Sequence, residues 1–181
     1  MKIIPFIILV LIGQAFTAEP DYLQYHQAFG IKASNLSGYG AFYGYKPTDK
    51  LRIQATGIYY LFDKMVSKER WTITNYTIGV EIQRDIIQEM KYRFYLTSGG
   101  YYYHDNDKTV STKFLHVIKD SYNCGAGIGY EYFFHRVTLG FELGYKYYND
   151  KSKEKKDNEE WFPVLERVTK IGAGCNLGFV F

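Results

Sequence analysis

The chain has 181 residues and a net charge of +3, with Lys and Arg interleaved among Asp and Glu. No basic block stands out, which argues against a nucleic-acid surface. Beyond the first dozen residues no apolar run approaches the ~20 residues that a membrane helix needs, which excludes a helical membrane protein.

The N-terminal stretch reads as a secretory signal. Lys2 supplies a positive start, Ile3 to Ile12 an apolar stretch, and Gly13, Ala15, Thr17 and Ala18 the small residues of a cleavage region. The expected division is a cleaved segment at 1–18 and one mature domain at 19–181, about 160 residues. Aromatic residues make up 19% of the chain, with 19 Tyr and 13 Phe against only 4 Pro. That balance favours strands over helices.

Period-two runs recur from there to the C-terminus, and eight strands are predicted. The first, about 23–35, places Phe29, Ile31 and Ala33 on one face. Asn35 to Gly38 reads as a tight hairpin. The second, 39–46, groups Tyr39, Ala41, Tyr43 and Tyr45, and Pro47-Thr48-Asp49-Lys50 forms the next turn. The third, 51–62, turns Ile53, Ala55, Tyr59 and Leu61 to one side, and 63–70 follows as a polar loop. The fourth is 71–83 with Tyr76, Ile78, Val80 and Ile82, and 85–90 is a turn or a short helical turn. The fifth, 91–103, carries Tyr92, Phe94, Leu96 and Tyr102, and 104–119 is a long polar loop. The sixth, 121–133, carries Tyr122, Cys124, Ile128, Tyr130 and Tyr132. The seventh, 137–148, carries Leu139, Phe141, Leu143, Tyr145 and Tyr147. A charged loop, 149–163, leads to the eighth strand, whose apolar parity runs from Ile171 through Leu177 to Phe179 and Phe181.

Tyrosines fall near the strand ends and aliphatic residues near the middle of the apolar face. That is the distribution of two interfacial belts around a lipid-facing band. From the second strand onward short connections alternate with long ones, as periplasmic turns alternate with extracellular loops, the very short first loop at Ser37-Gly38 being the exception, and an even strand count puts both termini on the periplasmic side. The expected fold is all-β: an eight-stranded antiparallel up-and-down transmembrane β-barrel. Cys124 and Cys175 lie on outward faces with one strand between them, about 10 Å apart by strand spacing, too far for a disulfide; free thiols are expected.

On the signal segment, the alternation, the run Gly38-Tyr39-Gly40-Ala41-Phe42-Tyr43-Gly44-Tyr45 with its turn at 47–50, and the terminal Phe179-Val180-Phe181, the chain resembles the small eight-stranded bacterial outer-membrane barrels. These are the OmpA- and OmpX-like domains and the broader outer-membrane β-barrel superfamily. The resemblance spans about 19–181 and specifies a class, not a member. It implies the bacterial outer membrane as location, outer-membrane lipid and lipopolysaccharide as surroundings, and a terminal signal at Phe179 and Phe181 read by the barrel-assembly machinery.

The inward parity carries the polar residues. It includes Lys32, Arg52, Gln54, Asn75, Thr77, Glu81, Arg93, Tyr95, Asn123, Glu131, Thr138, Glu142, Lys146, Lys170 and Asn176. Signs alternate over neighbouring strands through Arg52, Glu81, Arg93, Glu131, Arg136 and Glu142. An eight-stranded barrel is only wide enough for its own side chains, so these six residues are expected to form an ion network that plugs the lumen. His104, Asp105, Asp107 and His116 share a segment but match no metal-ligand spacing. Ser98 has no His at its depth to activate it. No metal, cofactor or catalytic set is expected. The first functional reading is therefore a non-enzymatic, monomeric outer-membrane protein with a structural or surface-interaction role. The second is a narrow channel for small or amphipathic solutes in the OmpW-like manner. The third is a lipid-modifying enzyme at the membrane face. The loop tip Lys151 to Glu160 is a candidate contact for lipopolysaccharide or a surface ligand.

Overall fold

One antiparallel ladder runs from strand to strand and returns to its start. In the computed structural model, which describes residues 25–66, 69–110, 114–156 and 160–181, the strands are β1 (Gln27–Ser34), β2 (Gly38–Thr48), β3 (Leu51–Val66), β4 (Glu69–Gln88), β5 (Tyr92–Val110), β6 (Phe114–Phe134), β7 (Val137–Lys156) and β8 (Phe162–Val180). Each pairs with its sequence neighbours, and β1 pairs with β8 from Ala28↔Val180 to Ser34↔Gly174, closing the barrel. The expected signal segment lies outside the described residues.

The apolar parity faces out. Ile31, Ile53, Ile78, Leu96, Ile128 and Leu143 are all exposed, whereas Arg93, Glu81, Glu131 and Gln54 are at most 1% exposed. A water-soluble barrel would bury the first set. This polarity is that of a barrel solvated by lipid. Aromatic rings bound the aliphatic band at both margins. One belt runs through Tyr59, Tyr76, Tyr102 and Tyr122, with successive ring centroids 6.5, 5.8 and 5.0 Å apart. The other includes Phe29 against Phe179 and Phe181, and Phe94 against Tyr130.

The structure corrects three expectations. The stretches read as long loops at 63–70, 104–119 and 149–163 are mostly strand. β4 to β8 run 19 to 21 residues each, about twice the 9–11 needed to cross a bilayer. Their outer halves stand beyond the Tyr59–Tyr122 belt, where water bathes both faces. Alternation fades there while backbone pairing continues. The expected turn at 85–90 is strand as far as Gln88. A bulge between Asp85 and Ile87 leaves Ile86 and Ile87 both exposed and keeps Asp85 inside. Finally, Tyr39 leaves the outward face. Gly38 and Gly40, with φ of 104° and 127°, adopt backbone that L side chains rarely enter, and Tyr39 packs edge-on against Tyr101, 5.5 Å between centroids.

The β1–β2 hairpin is the shortest on its side of the barrel, and its tip folds inward. Asn35 N–H donates to the Ala173 carbonyl at 3.0 Å, and Leu36 is 1% exposed, lodged against Gly125 and Gly172. At the opposite end Ala28, Phe42, Phe133 and Val180 form a small apolar cluster inside the barrel. Cys124 and Cys175 are free and exposed. They pair with Tyr147 and Phe141 of β7, which also places them at different depths.

Tyr95 fills the lumen by lying on Gly129, where any Cβ would overlap its ring. Gly129→Ala should therefore destabilise the barrel by about 1–3 kcal/mol, the range for overpacking a filled core. Urea unfolding in detergent micelles reads this directly, and an unchanged midpoint would mean that Tyr95 does not rest on this glycine.

Candidate functional site

Two polar regions lie inside the wall, one above the other. The lower is a buried ion network. β5 holds Arg93 at its centre: Nε donates to Glu131 at 2.6 Å, Nη1 to Asp85 at 2.7 Å, and Nη2 to Gln83. The Arg93 guanidinium also sits 4.2 Å from the Tyr95 ring centroid. Arg52 of β3 reaches across the lumen to Glu131 at 3.0 Å. Gln83 in turn donates to Glu81, and Glu81 accepts from Lys32 Nζ at 2.5 Å. The same ammonium donates to Glu142 at 2.7 Å. Glu142 also accepts from Ser34 at 3.0 Å and from the Tyr95 hydroxyl at 3.1 Å. Six of the eight strands contribute to one continuous chain of charge-assisted bonds.

The alternating parity of the strands puts these groups inside, but their partners are not the nearest neighbours along the wall. Arg52, Glu81, Arg93, Glu131 and Glu142 of the expected set meet in this network. Arg136 does not. It lies in the β6–β7 turn beside His135, a left-handed residue with φ 56°, and its guanidinium sits 5.8 Å from the Tyr25 ring. Lys32, which bridges two carboxylates, stands at the crossing point instead. It shares the inward parity, yet it is the only charge on its strand, so cross-strand sign alternation does not single it out. Asp85 was hidden by the bulge, which breaks the period of two. Phe179 and Phe181 lie on the lipid side of the lower belt, each packed on Phe29.

Below Leu36 the buried charges balance in number. Lys32, Lys46, Arg52 and Arg93 are matched by Glu81, Asp85, Glu131 and Glu142, each at most 7% exposed. Leu36 caps this layer. Above Leu36 the extended strands surround a cavity of about 460 Å³, lined by tyrosines, lysines and two carboxylates.

Outside the wall, the histidine segment divides. His104 faces outward, 2.7 Å from Asp120, and His116 faces Asn106 at 2.8 Å. Asp105 and Asp107 have the opposite parity on β5, so the four do not converge; no metal-ligand cluster occurs among the described residues. Far beyond the belt, Arg70 donates two hydrogen bonds to the Asp63 carboxylate at 3.2 and 2.7 Å. Those bonds hold Asp63 below the usual carboxylate range. Ser98 is flanked by Ile82 and Ala126 on the lipid face.

No protein-family model and no curated protein sequence matches the chain. Among solved structures it is similar to a major outer membrane protein from Thermus thermophilus, at 13% identity and a TM-score of 0.48, over 86% of this chain and 99% of that one. It is also similar to Acinetobacter baumannii CarO, at 11% identity and 0.42 over 88% and 99%. For CarO2 of the same organism the values are 9% and 0.38 over 85% and 98%. These scores lie below 0.5, and the barrel rests on this chain's own ladder and polarity.

Lys32→Met removes the one cation held between Glu81 and Glu142. Stranding buried carboxylates should cost about 3–5 kcal/mol, seen as a lower urea midpoint in detergent. Arg70→Ala, at an exposed pair, should leave the midpoint where it is.

Proposed function

We propose that this protein is an integral barrel of the bacterial outer membrane, non-enzymatic, with a closed lumen and a structural or surface-presenting role. The observation that carries the reading is the charge-balanced ion network beneath Leu36. Four cations and four anions, all buried, occupy the width that an eight-stranded barrel leaves for side chains. An ion entering this layer would have to displace charge-assisted bonds of 2.5–3.0 Å between buried partners. The inside-out polarity supports the membrane, and closed barrels are one of only two structures that span one.

In this reading the short turns at 49–50, 89–91 and 135–136 face the periplasm with both chain ends. The overlong halves of β3–β8 stand outside the cell, where they meet lipopolysaccharide and present a polar rim to surface ligands. Phe179 and Phe181 serve the assembly machinery, and the barrel acts as a monomer. No nucleic acid is involved.

Purified protein in planar bilayers should carry no steady ionic current, whereas a Lys32→Ala, Arg93→Ala double variant should show discrete openings. A steady wild-type current would overturn the closed lumen and favour the narrow-channel reading.

A further inference from the structure

We infer that the cavity above Leu36 is a binding site for a small oxyanion, a carboxylate or phosphate group, held between Lys146 and Lys170. The site is distinct from the ion network, and it stands whether or not the lumen conducts.

The cations of the buried network are matched, but Lys146 is not. It is 8% exposed, yet among the described residues no carboxylate lies within ion-pair distance of it. Its ammonium has only the Asn123 side-chain oxygen at 3.5 Å and the rings of Tyr101 and Tyr148, at 6.0 and 5.1 Å. Lys170 is its direct cross-strand partner and sits 4.6 Å from the same Tyr148 ring. No carboxylate among the described residues reaches it either. Like charges placed opposite each other on a ladder are destabilising. Here two ammoniums share one ring beside an open cavity.

The nearby carboxylates are already engaged. Asp150 accepts from Lys119 at 2.7 Å and from Ser121. Glu166 accepts from the Tyr148 hydroxyl at 2.8 Å. Three ammoniums against two carboxylates leave one positive charge in excess in the cavity lining. Each free ammonium offers N–H donors that the tyrosine rings, which attract the cation through their quadrupole, do not use as acceptors of full strength. An oxyanion supplies both the missing charge and the missing acceptors. The volume, about 460 Å³, is within the range of small-molecule pockets.

Two sources could deliver such a group. The cavity opens outward to solvent. It also lies beside a gap in the upper wall, because β1 and β2 end at the hairpin while β3 from residue 58 and β8 up to residue 172 continue with no strand between them. The absent strands correspond to about 10 Å of wall by ordinary strand spacing. A free anion would enter from above, and a lipid headgroup through the gap.

Titration of the full chain in a non-ionic detergent tests both sources, with inorganic phosphate in one arm and short-chain phosphatidic acid in the other. The expected result is saturable binding in at least one arm, weakened tenfold or more by Lys170→Gln, abolished by the Lys146→Gln, Lys170→Gln pair and unchanged by the outward-facing Lys151→Gln. Binding in both arms identifies a free anion as sufficient, and binding in the lipid arm alone identifies the headgroup. Heat-modifiable gel mobility verifies that each variant is folded, and Lys170→Arg should retain binding. Absence of saturable binding in both arms, or binding by the folded double variant equal to wild type, overturns the assignment.

Discussion

Burying charge in a narrow tube is the constraint on which the rest of this structure depends. Closing the ladder satisfies the backbone, but it turns every second side chain into a space only wide enough for side chains. A charged group there is costly unless it meets its opposite and exhausts its hydrogen bonds. The chain meets this condition by placing one bridging lysine, Lys32, between two glutamates and one bridging glutamate, Glu131, between two arginines. Tyr95 and Gln83 join the two halves. The arrangement also explains the small residues of the inner wall, since Gly129 is what lets Tyr95 reach Glu142.

Above this layer the requirement changes. Beyond the aromatic belt both faces of each strand meet water, and lysine, aspartate and glutamate become acceptable on either side. The strands still continue, because each has a partner on at least one flank and the ladder itself needs no apolar face. The result is a polar vestibule with tyrosine walls, open on the side where β1 and β2 stop short. One folded hairpin tip, at Leu36, separates the balanced interior from a vestibule with one cation in excess.

Much of the barrel was legible from residue patterns. Ile78, Val80 and Ile82, or Leu139, Phe141 and Leu143, announce their faces at a period of two wherever one side meets lipid. Arg52, Arg93, Glu131 and Glu142 follow as the opposite parity. Legibility ended where that contrast ended. In 104–119 and 149–163 neither parity is consistently apolar, so strand and loop look alike. At Asp85 a single extra residue shifts the period and hides an inward acid. At Gly38 and Gly40 the backbone, and not the pattern, turns Tyr39 inside.

The sequence by itself determined how many strands exist, which residues of the apolar band face lipid and most of the charges of the inner wall, because a lipid-facing wall imposes a strict alternation on the chain. Only the tertiary structure decided who pairs with whom. Arg52 and Glu131 meet across the lumen from strands three apart, Lys32 lies between acids of β4 and β7, Arg136 falls outside the network, and Lys146 is left with Lys170 beside a tyrosine. Those partnerships depend on strand stagger and on the inward fold of one hairpin, distances set by closing the ring and carried by no local spacing.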